Sequence, residues 1–399
     1  MLKILLYITN VLILVACSSK SENKKWEACN IVANINMIHD DSLLVADFDK
    51  VEQQITIPLS DLVQDWHLVK LENKTKEIMV SPISTIYPSE NYLAVVTDSR
   101  VLLFNKKGVF LREVGHIGEG PADIMPGVIK IQIDEQKKVL YLTDSQMRRI
   151  QMYNLDNASH IGKIPLPHQA IDPSYIVNSQ DSTVLIIHVP MNDSPAVLWK
   201  QDFQGNILNQ IAPQRFKNPK VFWILGADAF YMWKNKNKII LNIVCNPAKN
   251  DSVYYYDTIK HDFRPHFAVN FSGEVPDHWI YETSDFYMVT INGSTNGDIS
   301  SGFHNGPQQR VLIDKKTKRG AYAKIVLDGY GNIPITKQRF YMWSEYFTLT
   351  LSPEWIAEMA EKALEHPEYL KTGEKIRLQE LINGITEDDN IFILYGKIR

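Results

Sequence analysis

The chain has 399 residues, 45% apolar and 22% charged, a balance that excludes a disordered chain and suffices for one large repeat domain or two ordinary ones. Its 42 Lys and Arg against 46 Asp and Glu leave a formal charge of −4. With no basic excess to displace counterions from phosphates, the balance argues against a nucleic-acid partner. The 18 Tyr, 15 Phe and 8 Trp favour pleated, half-buried surfaces and so β structure.

Residues 1–16 read as a secretory signal. Lys3 supplies the positive start, and residues 4–16 are apolar apart from Thr9 and Asn10, a run too short to span a bilayer. The run ends in Leu14, Val15, Ala16 and Cys17, then Ser18 and Ser19, which resembles a bacterial lipobox. That resemblance implies a diacylglyceryl group on the Cys17 thiol, cleavage before it and acylation of the new amino terminus. Several acyl chains anchor stably, since each buried CH₂ contributes about 0.8 kcal/mol. An ordinary signal with an incidental cysteine is the plainer alternative; the position of Cys17 at the end of the apolar run favours the lipoprotein. Residues 17–50 are then the lipidated cysteine with a polar tether and lead-in, and 51–399 the folded domain. Cys29 and Cys245 are the other thiols. An oxidising envelope permits a bond between them, although two distant cysteines are weak evidence for one. No paired-cysteine zinc pattern occurs.

Beyond the tether, short apolar or aromatic runs alternate with Gly, Asn, Asp and Pro, the pattern of many short strands. Residues 52–57 form a first strand-like segment. Residues 67–71, 83–86, 92–96 and 101–104 follow, with a turn at 105–108. The order repeats at 129–133, 139–143 and 149–153. The offset between Asp98 and Asp144 is 46 residues (144 − 98), close to the period of a four-stranded propeller blade. Weaker echoes lie at 184–188 and 196–199, at 239–244 and 253–256, at 286–291, 310–313 and 323–327, and at 339–343 and 391–395. Six blades fit this length best. A ring must pair its terminal edges, and we expect residues 52–57 to join the strand near Ile391. One helical insert, about 352–384, interrupts the last blade. Ser352 is a fitting N-cap with Pro353 behind it, Trp355, Ile356, Met359 and Leu364 share a helical face, and Gly384 ends a second helix over 374–382. A cap packed on one rim is its plainest role.

Residues 108–124, with Gly108, Gly115, Gly118, Gly120 and Pro121, resemble the signature of the six-bladed β-propeller lipoproteins of Bacteroidetes, propellers of the NHL/TolB-like kind. Here Ala122 replaces a Gly of that signature, Asp123 a Glu, and Ile124 an aromatic residue. The segments 57–72 and 388–394 resemble the first and last strands of that family. The resemblance implies an all-β six-bladed propeller with four-stranded blades, a ring closed by N- and C-terminal strands, and a lipid-anchored place in the cell envelope. It carries no catalytic residues across.

The glycines at 115–120 do not form a dinucleotide fingerprint, because Pro121 and Pro126 follow where a helix would have to open. A connection between blades is the better reading. His39, Asp40 and Asp41 are adjacent on an extended chain and point in alternate directions, so they read as a turn rather than a metal site. His261, Arg264 and His266 form the best local candidate for ligand contact, and His304 lies in a long Gly/Asn/Ser loop at 292–306 that is either functional or a mere insertion. Trp223, Tyr231, Trp233, Trp279, Tyr281 and Trp343 could stack on sugar rings, but inter-blade core is the stronger expectation for each. No nucleophile elbow, zinc-protease helix or calcium loop is present, and no metal or cofactor is expected. The expected function is that of an outer-membrane lipoprotein, periplasmic or surface-facing, binding an unknown peptide, glycan or protein. The alternative is a carbohydrate-active lyase or hydrolase whose residues converge at the channel mouth.

Overall fold

The computed structural model describes residues 25–399 apart from 39–40, 121, 126, 128, 144–147, 171–172, 191–193, 214–215, 217–229, 236–237, 244–251, 274, 277, 292–307, 336–339, 344 and 387. The chain opens with β1 (Ala33–Ile38), β2 (Asp41–Asp47), β3 (Gln54–Pro58), the one-turn helix α1 (Leu59–Leu62) and β4 (Val63–Lys70). Five blades then follow in sequence. The first holds β5 (Thr85–Pro88), β6 (Tyr92–Thr97), β7 (Arg100–Asn105) and β8 (Phe110–Glu113). The second holds β9 (Lys130–Asp134), β10 (Val139–Thr143), β11 (Arg149–Asn154) and β12 (His160–Pro165). The third holds β13 (Ser174–Asn178), β14 (Thr183–Ile187), β15 (Leu198–Asp202) and β16 (Ile207–Ile211). The fourth holds β17 (Phe230–Asn235), β18 (Lys238–Ile243), β19 (Ser252–Asp257) and β20 (Asp262–Asn270). The fifth holds β21 (His278–Glu282), β22 (Phe286–Ile291), β23 (Gln309–Asp314) and β24 (Gly320–Leu327), with the short β25 (Ile333–Pro334) at its edge. The sixth joins β26 (Phe340–Trp343), β27 (Tyr346–Leu351) and β28 (Phe392–Ile398) to β4. The fold is thus the expected six-bladed propeller.

Each blade is covered on both faces by its neighbours, so its middle strands need apolar side chains on both sides rather than on alternate positions. β10 and β14 are buried at every residue, whereas the outer strands β12 and β16 are mostly exposed. The core therefore divides along the seams. Tyr87, Leu103, Leu140 and Tyr153 fill the seam of blades one and two, and Leu185, Leu198, Met232 and Tyr254 that of blades three and four.

The closing strand differs from expectation. β28 pairs with β4, Phe392 opposite Lys70 and Leu394 opposite Leu68. Residues 52–57 do not reach it: β3 runs parallel to β24, Ile55 opposite Ala323, and extends blade five. β2 likewise lies parallel to β20, and with β1 it extends blade four. The N-terminal strands thus step across blades four, five and six, with α1 turning the chain from one blade to the next. The seam of β4 and β28 is fastened by polar groups. Lys70 Nζ meets Asp389 at 3.0 Å. The buried Asn390 amide donates to the carbonyls of Glu72 (2.9 Å) and Ile78 (2.8 Å) and accepts from Val80 N (3.0 Å). Asp389 and Asn390 belong to the terminal segment 388–394 that carries the family resemblance.

The insert falls between β27 and β28 as α2 (Pro353–Leu364) and α3 (Thr372–Asn383). Ser352 Oγ accepts from Trp355 N at 3.3 Å, the N-cap bond that its position implied, and Gly384 ends α3. Ile356, Ala360 and Leu378 are buried with Ile333, Ile335 and Phe340. Among the described residues no helix is long and apolar enough to cross a membrane.

Candidate functional site

The innermost strands of blades one to four, β5, β9, β13 and β17, wall a cavity of about 670 Å³. Residues of β14, β15 and β18 and of the β19–β20 turn carry it into the seam between blades three and four. This volume is that of a small-ligand site.

Much of the polar lining is committed to holding the inner strands together. The Gln132 side chain donates to Val177 O (2.9 Å) and accepts from Val177 N (2.8 Å), bridging blades two and three. Ser174 Oγ donates to Met232 O and accepts from Met232 N, both at 3.1 Å, bridging blades three and four. The Tyr175 hydroxyl donates to Lys130 O (3.1 Å) and Tyr141 O (3.0 Å), and burial pushes its pKa up. Asp134 accepts from Lys137 N at 3.0 Å and from the Ser179 hydroxyl. The walls are therefore preorganised.

Three lysines line the same space: Lys130 at the start of β9, Lys200 on β15 and Lys234 on β17. Lys200 stands opposite Leu185 and Lys234 opposite Ile239, so both emerge from an apolar floor. Neither Lys200 nor Lys234 meets a carboxylate at ion-pair distance among the described residues. His261, at φ 55 in the β19–β20 turn, completes the mouth. Its Nδ1 is hydrogen-bonded to the Tyr256 hydroxyl at 3.0 Å. Burial, and behind it Asp257, pushes that phenol up to about 12.

Of the three residues proposed around β20, the structure brings only His261 to the cavity. Arg264 is exposed on the strand. His266 faces the other side of blade four, its ring stacked 3.9 Å from that of Tyr255. There, at the seam with blade five, Glu282 Oε1 accepts from the Tyr255 hydroxyl (2.5 Å) and Lys315 Nζ (2.6 Å). Burial lowers the pKa of His266 and raises that of Tyr255. Glu282 is only 4% exposed and already paired, so this cluster ties two blades rather than opening to a substrate.

The loop at 115–124 closes on itself. Asp123 Oδ2 accepts from Gly120 N at 2.7 Å, and a side chain on Gly118 would strike that carboxylate at 2.3 Å. Ile124 N donates to His116 O (2.7 Å) and the Tyr153 hydroxyl donates to Ala122 O (2.7 Å). Gly115 holds φ 70, and a Cβ there would lie 2.5 Å from Ile124 Cδ1. The glycines serve a tight connection between blades. Cys17, His39, Asp40, Pro121, Trp223, Cys245 and His304, with the loop at 292–306, lie outside the described residues. Cys29 is a buried free thiol. Tyr231 and Trp233 are buried and stacked on each other at 5.4 Å, so they belong to the core as well as to the cavity wall.

Ring, seams and cavity together define a six-bladed propeller with a ligand-sized space at its axis. Residues 43–397 match the family Domain of unknown function (DUF4934), and the chain belongs to it. In structure it is similar to an inferred exported protein of Bacteroides fragilis, with 17% identity over 87% of this chain and all of that one, TM-score 0.57. It also matches a DUF4221 family member from Bacteroides vulgatus, with 11% identity over 85% of this chain and 98% of that one, TM-score 0.48. At such identities the likeness of the first is one of fold. The chain matches no curated protein.

Proposed function

We propose that the protein is an exported lipoprotein of the cell envelope, held in the outer membrane by an acylated Cys17, whose propeller binds a small polar ligand in the cavity of blades one to four. The observation that carries this reading is the cavity itself. It is ligand-sized, its walls are fixed by side chains that bond across blades, and it retains the heads of Lys200 and Lys234, which meet no carboxylate at ion-pair distance among the described residues. The lipobox-like end of the signal segment and the exported description of the similar Bacteroides fragilis protein support the location. Binding is favoured over catalysis by the state of the cavity's own acid–base groups: Asp134 is committed to hydrogen bonds, and burial pushes the Tyr256 phenol beside His261 up to about 12.

The test is a thermal-shift screen of the full chain against glycans, peptides and sugar acids, beside a variant with Gln136→Trp and Thr258→Trp at the exposed mouth. A ligand of this cavity raises the melting temperature of the native chain and not of the blocked one. A ligand that shifts both equally binds elsewhere and overturns the assignment. Mass analysis of the mature amino terminus checks the anchor, which is lost in Cys17→Ser.

A further inference from the structure

We infer that the occupant of this cavity carries negative charge, and specifically that it is a short glycan bearing sugar-acid carboxylates, one of them seated between Lys200 and Lys234. This rests on the binding reading above and goes beyond it by naming the ligand class.

Charge balance makes the argument. Among the described residues the lining sets Lys200 and Lys234 against one carboxylate, Asp134, which is occupied by Ser179 and the Lys137 amide. Lys200 and Lys234 project from facing sheets into one seam. On the side of blade three its floor is Leu185 and Ile176, and on the side of blade four Met232 and Ile239. A recess lined by one sign of charge concentrates the opposite sign. A neutral occupant would cover these groups without pairing them, which is unfavourable. A divalent cation would be repelled.

The rest of the lining selects within anions. Gln136, Gln180 and Thr258 offer amide and hydroxyl groups around the mouth. These are the partners of ring hydroxyls, which present a donor and an acceptor on every sugar edge. An acidic peptide carries the same carboxylates but mostly backbone amides between them, and it is made an arm of the test.

The full chain is titrated calorimetrically with trigalacturonic acid, with the neutral galactotriose of the same linkage, and with triglutamate. We expect the acidic trisaccharide to bind, the neutral one at least tenfold more weakly, and triglutamate no better than the neutral one. Lys200→Gln and Lys234→Gln should each lower affinity for the acidic trisaccharide about tenfold at unchanged melting temperature. Lys200→Arg should retain it, and Lys163→Gln, on the exposed outer strand β12, should change nothing. Equal binding of the two trisaccharides, or indifference to both lysine variants, overturns the charge assignment and leaves the cavity reading standing. Tighter binding of triglutamate overturns the glycan class. Silence from all three overturns the inference, while the cavity reading is decided separately by the blocked-mouth comparison.

Discussion

At the scale of single residues, the protein places several titratable groups where water cannot reach them, and one sets a measurable pH dependence. His188 is 1% exposed, with Nε2 2.8 Å from Ala196 O and its ring edge-on to Trp199. Burial pushes its pKa down to about 4 from an ordinary 6.5. Below pH 6.5 the unfolded chain therefore takes up a proton that the folded chain refuses until about pH 4. Stability is present above that window and falls as the pH drops through it, by about 1.4 kcal/mol per unit and about 3 kcal/mol in all. Urea midpoints measured at pH 7, 5 and 4 should fall more steeply for the native chain than for His188→Gln; parallel curves would show that the histidine is not the sensor.

Residue by residue, the site was the least legible part of the sequence. Lys130, Gln132, Ser174, Lys200 and Lys234 come from three blades, and each is a polar residue in a strand of mixed composition. Only folding gathers them, and proximity along the chain favoured the wrong set: His261 and His266 are five positions apart yet face opposite seams. A lysine or glutamine opposite an apolar residue on an inner or middle strand was the signal available.

Among the elements, the connection at 115–124 shows how a motif can be structural throughout. Gly115 sits where a side chain would be strained by its positive φ and crowded by Ile124 and the Tyr153 hydroxyl. Left-handed geometry alone costs roughly 1 kcal/mol for alanine, and displacing Ile124 adds to it. Gly115→Ala should lower stability by about 2 kcal/mol in chemical denaturation, with ligand binding intact at low temperature. Loss of binding without loss of stability would give the loop a role at the site. The helices of the insert were readable because capping is local: Ser352 and Pro353 announce α2 within two residues. The repeat was readable because the middle strands, buried on both faces, appear as unbroken apolar runs.

For the whole molecule, the ring was legible and its phase was not. A circular array has no privileged first strand, and residues 67–71, which read with the first repeat, form the edge of blade six instead. The cue lay in composition. β4 carries Gln64, Asp65, His67 and Lys70 and is half-exposed like the other outer strands, unlike any middle strand. Closure by β4 has a testable consequence. A chain beginning at residue 52 keeps β3 and β4 and should remain monomeric with a lowered melting temperature. One beginning at residue 72 leaves β28 an unpaired edge and should associate, as judged by light scattering on a sizing column. A monomer of unchanged melting temperature from the shorter chain would show that the ring does not depend on its first strands.

The clasp between Lys70 and Asp389 joins positions 319 residues apart. During synthesis, β4 must wait until almost every other codon has been read before its partner exists, and pairings of such sequence separation form slowly. The last-made segment therefore governs when the ring can shut. A premature stop at position 392 would deny β4 its mate and leave blade six without its third strand: a tail deletion in the message, a breach of the circle in the product.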